Sequence, residues 1–336
     1  MKALVCTTPR QFDYINTEMP VTAEGETLLK IERIGICGTD LHAFEGTQPY
    51  FNYPRILGHE LAATIIETKA VGFTAGDYVT IIPYMHCGNC NACNSGKNNC
   101  CVNMRVFGVH IDGGMREFVT VPNHALLKSE GLSLDELALV EPLAIGAHAV
   151  KRAAVANGEF VLVIGAGPIG LGIAQFARIA GAHVIVVDVI DDRLQFCTTH
   201  VGVEHTINPL TQDVMESLKQ ITSNNMPTVV MDATGNLKAI NNAFAYLAHG
   251  GRYVLVGLQK EHISFSHPEF HKREATLMSS RNANVSDFEH VMDAIKNGLV
   301  QPANYITHKV TFSEVATQFE SWLNPNSKVI KAVVVF

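Results

Sequence analysis

Positive charge is in the minority in this sequence: 25 lysines and arginines face 32 acids, for a formal net charge of −7. A phosphate backbone selects basic surfaces, so this balance argues against a nucleic-acid partner. The opening run Met1-Lys2-Ala3-Leu4-Val5-Cys6 lacks an apolar core of signal-peptide length, which predicts a cytoplasmic chain whose thiols stay reduced. Unbroken apolar length is also missing. Residues 160–177 carry no charge and are long enough to span a bilayer, yet Gly165, Gly167, Pro168, Gly170 and Gly172 interrupt them. A strand, a tight turn and a helix explain that stretch better, and no membrane partner is expected. Internal repeats and low-complexity segments are absent too. What is present is 336 residues, 47% hydrophobic and 17% charged, enough for two ordinary folded domains.

Up to about residue 145 the chain reads as short strands and loops, with strands expected at 27–31, 62–66 and 76–81. The pattern then changes. Apolar runs at 160–164, 183–187, 228–231 and 252–256 predict buried parallel strands, and 168–180, 191–199 and 237–247 predict the crossover helices. This is the alternation of a doubly wound α/β sheet, to which 275–280 adds a last strand. Beyond about 285 come a helix (287–296), a loop, a second helix (313–322) and a strand (329–335). That strand has no partner nearby, so the tail is expected to return to the N-terminal region. The expected domains are 1–145 together with 285–336, and 146–284.

Gly165-Ala166-Gly167-Pro168-Ile169-Gly170 follows the strand at 160–164 directly and opens a helix. In such a turn Gly165 makes the bend, Gly167 admits a pyrophosphate and Gly170 allows close helix–strand packing. Pro168 starts the helix, where a missing N–H costs little, and the free N–H groups and positive helix end favour a diphosphate. Asp188 ends the next strand, where an acid can bind both ribose hydroxyls and repel a 2′-phosphate, so NAD is favoured over NADP. Arg193, five residues on, keeps NADP in play. A glycine turn alone would be an ordinary α/β feature; strand, turn, helix and acid together favour the cofactor.

Four of the eight cysteines, Cys87, Cys90, Cys93 and Cys101, crowd into one loop. Thiolates so spaced suit a closed tetrahedral zinc site that braces a loop with little core of its own. Spacing alone leaves Cys100 as an alternative fourth ligand. A second constellation is dispersed: Cys37 in Gly35–His42, His59-Glu60 after Gly58, and Glu141 in an apolar stretch. Taken singly, the cysteine reads as a small buried hydrophobe, the histidine as a structural hydrogen-bond partner and the glutamate as a solvated turn residue.

These motifs, in this order and over essentially the whole chain, resemble the zinc-containing medium-chain dehydrogenase family. The resemblance implies a GroES-like β-rich catalytic domain made from both chain ends and a Rossmann domain between them. It also implies two zinc ions per subunit. Cys37 and His59 match catalytic-zinc ligands, with Glu60 or Glu141 completing the shell. Asp40 matches the acid that orients the histidine, and Thr39 and His42 match the proton-relay positions. Thr234 and Val256 match strand ends where nicotinamide rests, and Arg281 the arginine that reaches the cofactor. Glu141-Pro142-Leu143 points to the polyol and sugar-acid branch. Four stretches, 48–55, 108–114, 267–272 and 280–283, resemble sugar-acid 5-dehydrogenases of the L-galactonate and L-idonate type. From these stretches Arg55, His110 and Lys272 are candidates for holding a substrate carboxylate, against the plainer expectation that basic side chains lie at the surface. The implied activity is oxidation of a secondary alcohol by NAD, in a homo-oligomeric dimer or tetramer. Threonine, sorbitol or simple alcohols are competing substrates, and a zinc-stabilised NAD-binding protein without turnover is the competing class.

Overall fold

The computed structural model describes all residues except Tyr50 and Ser129, and of Pro325 not the side chain. Tyr50, part of the stretch 48–55, therefore lies outside the described residues. The chain divides into two units, Met1–Pro142 with Asn284–Phe336, and Leu143–Ala283.

The first unit is built on a seven-stranded sheet whose centre is the long strand Glu26–Gly35. This strand pairs antiparallel with Glu60–Glu67 on one side and with Lys331–Val335 on the other, so the tail does return to the N-terminal region. The partner missing from the sequence reading is Ile306–Thr311, which lies parallel to Lys331–Val335 at the sheet edge. Its polar residues alternate outward, and an edge strand tolerates them. Leu29, Ile31, Ile34, Leu61, Ile65 and Val334 are fully or almost fully buried and join one apolar core.

The second unit is a six-stranded parallel sheet in which His205–Ile207, His183–Val187, Phe160–Ile164, Val229–Asp232, Arg252–Leu255 and Thr276–Ser279 lie side by side. The central strands are apolar on both faces because helices cover both. The register aligns Ile164 with Val187 and Asp232, and Leu255 with Ser279. All strand C-termini therefore meet at one edge, and the chain reverses its winding between Phe160–Ile164 and Val229–Asp232, where such sheets bind ligands.

Some expectations need correction. The expected helix at 313–322 is broken into the 3₁₀ turn Phe312–Glu314, one α turn Val315–Gln318 and the 3₁₀ turn Phe319–Leu323. The region before 145 is not only strands and loops: Leu134–Ala138 is a helix with a Ser133–Glu136 capping box, and Val140–Arg152 follows it.

Candidate active site and metal-ligand groups

In the cysteine loop, the short strands Tyr84–Met85 and Arg105–Val106 pair at its root and bring its two ends together. The ligand atoms of Cys87, Cys90, Cys93 and Cys101 all lie within 4.8 Å of one another. The sulfur separations are 3.5 Å for Cys90–Cys93, 3.5 Å for Cys87–Cys101 and 4.0 Å for Cys90–Cys101. A tetrahedron with Zn–S near 2.3 Å has edges of about 3.8 Å, so the spacing fits zinc. Backbone N–H groups of Cys87 and Asn103 donate to Cys101 Sγ. Those of Cys93 and Val102 hold the Cys90 thiol down to about 6, ready to act as thiolate. Cys101 is buried inside the group, whereas Cys100 is exposed and outside it, which favours Cys101 as the fourth ligand.

The second group is assembled from distant segments. Cys37 caps the helix Gly38–Glu45, and Asp40 in its first turn accepts the Cys37 N–H at 2.9 Å. The other Asp40 oxygen accepts the Gly58 N–H at 3.1 Å, so one buried carboxylate ties together the segments that carry Cys37 and His59. Ligand atoms of Cys37, His59 and Glu60 lie within 4.8 Å of one another. Gly35 stands opposite Glu60 in register, and a Cβ there would fall 2.1 Å from Glu60 Oε2. A glycine at this position is what lets the carboxylate lie against the central strand.

The electrostatics of this group call for a cation. His59 is 5% exposed, and its Nδ1 makes no hydrogen bond, resting 3.6 Å from Asp40 Oδ1. Burial alone would lower its pKa, but the negative charges of Asp40, Cys37 and Glu141 outweigh that and raise it well above the ordinary value. Glu141 lies in the first turn of Val140–Arg152 and is 4% exposed, so the reading of it as a solvated turn residue fails. Burial pushes its carboxyl up to about 7, with His59 pulling the other way and Glu60 adding to the rise. A sulfur, an imidazole nitrogen and a carboxylate within 4.8 Å of one another fit a zinc ion; the buried Glu141 carboxylate stands outside that trio.

Two members of this group escaped the sequence reading. Lys331, 2% exposed, donates to both oxygens of Glu60 at 2.7 Å and to the Ile36 carbonyl at 3.1 Å. Glu60 outweighs the effect of burial and keeps the ammonium charged. A lysine at the head of the apolar run Lys331–Val335 was the available signal. Tyr84 is buried and donates its hydroxyl to Glu141 Oε1. Burial first, then Glu141, raise its pKa well above the ordinary value, so it is a neutral phenol. Nothing in the run Ile81-Ile82-Pro83-Tyr84-Met85 distinguishes it from a core residue.

Thr39 and His42 lie three residues apart on the helix Gly38–Glu45, Thr39 half-buried and His42 exposed. His42 Nδ1 is 3.3 Å from the Thr47 hydroxyl and 3.6 Å from Glu45. Of the carboxylate-binding candidates, Arg55 is already paired with Asp112 at 3.1 Å, and His110 Nδ1 accepts the Val106 N–H. Lys272 ends the helix His267–Lys272 and is exposed in the other unit.

In the second unit Gly165 has φ +99°, and a Cβ on Gly170 would fall 1.7 Å from the Gly165 carbonyl oxygen. Both positions require glycine. Gly167 caps the twelve-residue helix Pro168–Ile179, and a Cβ there would meet nothing within 4 Å, leaving room for a phosphate. Asp188 is buried; its oxygens accept the Ala166 N–H at 2.6 Å and the Ile190 N–H at 2.9 Å, so it braces the glycine turn. Pro168 and Ile169 are half-buried on the first turn, and Arg193 lies on the next helix, Asp191–Phe196. Thr234 donates to Asp232 at 2.6 Å. Val256 and Arg281 follow the C-terminal ends of two further strands. These residues share one sheet edge and fit a dinucleotide.

Residues 23–131 match the alcohol dehydrogenase GroES-like domain family, and residues 168–297 match the zinc-binding dehydrogenase family. The chain is 41% identical to L-galactonate-5-dehydrogenase of Escherichia coli strain K12, covering 100% of this chain and 99% of that protein. It is 35% identical to an uncharacterized zinc-type alcohol dehydrogenase-like protein of Haemophilus influenzae, again over 100% and 99%. Among solved structures it is similar to the alcohol dehydrogenase rspB of E. coli CFT073 complexed with NADH, with TM-score 0.93, 31% identity and coverage of 100% and 99%.

Proposed function

The chain belongs to the zinc-type alcohol dehydrogenase family of NAD(P)-dependent oxidoreductases, and within that family we propose that it oxidises a secondary hydroxyl of a sugar acid. The reaction is dehydrogenation at carbon 5 of L-galactonate or a close relative such as L-idonate, giving the ketone, NADH and a proton. The single observation that carries the substrate class is end-to-end similarity to L-galactonate-5-dehydrogenase.

Bound zinc would polarise the substrate hydroxyl as a Lewis acid, and bound NAD would accept the hydride. Cys37 and His59 would hold the catalytic ion, with Glu60, which lies in the same group, or Glu141 completing the shell directly or through water. Asp40 holds the two ligand segments in register, as outer-shell carboxylates do for zinc histidines. Lys331 balances the charge of Glu60 without reaching water. Thr39 would accept the substrate proton as its hydroxyl gives up its own, and that proton would leave to solvent by way of His42. Carboxylates in place of a further thiolate make the shell harder, which suits a substrate with several hydroxyls. Gly165, Gly167, Pro168, Ile169 and Gly170 would cradle the diphosphate. Asp188 would bind the adenosine ribose, which favours NAD over NADP, with Arg193 beside it. Thr234, Val256 and Arg281 would line the nicotinamide end. Cys87, Cys90, Cys93 and Cys101 would hold a second, structural zinc. Among the described residues no helix is long and apolar enough to cross a membrane. A cytoplasmic homo-oligomer, dimer or tetramer, is the assembly in this reading.

The test is NADH formation by zinc-replete protein with L-galactonate, L-idonate, sorbitol, L-threonine and a short diol. Turnover concentrated on one sugar acid is the expected result. Turnover of sorbitol or threonine alone would overturn the substrate while leaving the dehydrogenase chemistry intact.

A further inference from the structure

The Glu141 carboxylate is hydrogen-bonded by a residue that no candidate ligand set includes. Its Oε1 accepts the phenol of Tyr84, which is 57 positions away in sequence, and both side chains are buried. The two residues sit on independently fixed elements. Tyr84 belongs to the strand Tyr84–Met85, which pairs with Arg105–Val106, and the carbonyl of the preceding Pro83 accepts the Phe107 N–H at 3.0 Å. Its ring meets Phe288 edge-on at 6.2 Å and 74°, and Phe288 is fully buried. Glu141 is fixed at its backbone by the first turn of Val140–Arg152. A glutamate has three rotatable side-chain bonds, so backbone placement alone does not aim its carboxylate.

We propose that Tyr84 is a positioning residue for the catalytic metal: its hydroxyl occupies one oxygen of Glu141 and so presents the other to the ion beside Cys37, His59 and Glu60. The proposal rests on the zinc-dehydrogenase reading and adds a residue to it. The ring packing and the hydroxyl separate cleanly. Phenylalanine keeps the contact with Phe288 and removes only the donor. Loss of an outer-shell partner of this kind typically costs about 10–100-fold in metal affinity.

The experiment uses the zinc-replete, full-length protein and its Tyr84→Phe, Glu141→Gln and doubly substituted variants. Metal release to a chromogenic chelator is followed in each. In the wild type a fast and a slow zinc should be resolved or two equal classes counted. In Tyr84→Phe the release assigned to the Cys37–His59 group should accelerate by about 10–100-fold while the four-cysteine zinc is unchanged. Cobalt exchanged into the same position should show a shifted visible spectrum. In the Glu141→Gln background the substitution at Tyr84 should add little, because its effect passes through Glu141. Unchanged release and an unchanged cobalt spectrum in Tyr84→Phe would overturn the role of Tyr84 and leave the dehydrogenase intact. A full effect of Tyr84→Phe in the Glu141→Gln background would also overturn it, since a general packing defect would behave that way. A wild-type protein that binds no metal at Cys37 and His59 would overturn the functional reading and this inference together.

Discussion

The two metal-ligand groups of the first unit gather their donors in opposite ways. The four-cysteine group takes every ligand from one loop, and Cys87 at its head is exposed. The second group draws on Cys37, His59 and Glu60 from separate segments, with Glu141 proposed beside them, and all of these but Cys37 are buried. Lys331 adds the counter-charge. In the loop, a metal would do the work of a missing core, and four thiolates would leave it no open position. In the buried group, the central strand Glu26–Gly35, the Asp40 hydrogen bonds and the Lys331 ion pair fix the segments that carry the donors. A protein scaffold of that kind can leave a coordination position for substrate. On the proposed roles, the contrast explains how one unit could carry a brace and a reaction centre side by side in sequence.

The comparison breaks most easily at the two extremes. His59→Ala should cut kcat/KM by about a thousandfold or more, since several kcal/mol of charge stabilisation is lost, with a smaller loss of thermal stability than a broken cysteine site gives. Cys101→Ser should do the reverse and destabilise by about 4 kcal/mol or more, because a structural metal is lost. Paired kinetic and thermal-unfolding measurements check both; a His59 variant that unfolds as readily as the Cys101 variant would erase the distinction. A somewhat smaller effect tests the claim that the scaffold holds the buried donors. Lys331→Met leaves the Glu60 carboxylate buried and unpaired, at an expected cost of about 3–5 kcal/mol in denaturant unfolding. Adding Glu60→Gln should recover much of that loss. The smallest effect sharpens the boundary of the loop site: Cys100→Ser should change stability by no more than about 0.5 kcal/mol and leave the zinc content of the protein unaltered.

The cysteine loop was legible because its chemistry is local: spacing alone placed four sulfurs on one turn, and only the choice of Cys101 over Cys100 needed coordinates. The parallel sheet was legible for a related reason, since strands buried on both faces read as continuous apolar runs. The buried group was less so. Cys37, His59 and Glu60 stood out through resemblance, but the burial of Glu141 depends on a helix the sequence reading missed. Tyr84 was invisible and Lys331 marked only by its place at the head of an apolar run, because their roles are made by tertiary partners far along the chain. Ile306–Thr311 was missed because an edge strand with Thr307, Lys309 and Thr311 facing outward and His308 on its half-buried face has no apolar run to announce it.

The ion pair between Glu60 and Lys331 spans 271 positions. A chain made at roughly 5–20 residues per second therefore exposes Glu60 for some tens of seconds before its buried partner exists. During that interval the strand Glu26–Gly35 also lacks its neighbour Lys331–Val335. The ribosome thus delivers every proposed zinc ligand long before the cation that lets Glu60 be buried. The proposed reaction centre therefore cannot be complete until Lys331 has been made and its strand has joined the sheet.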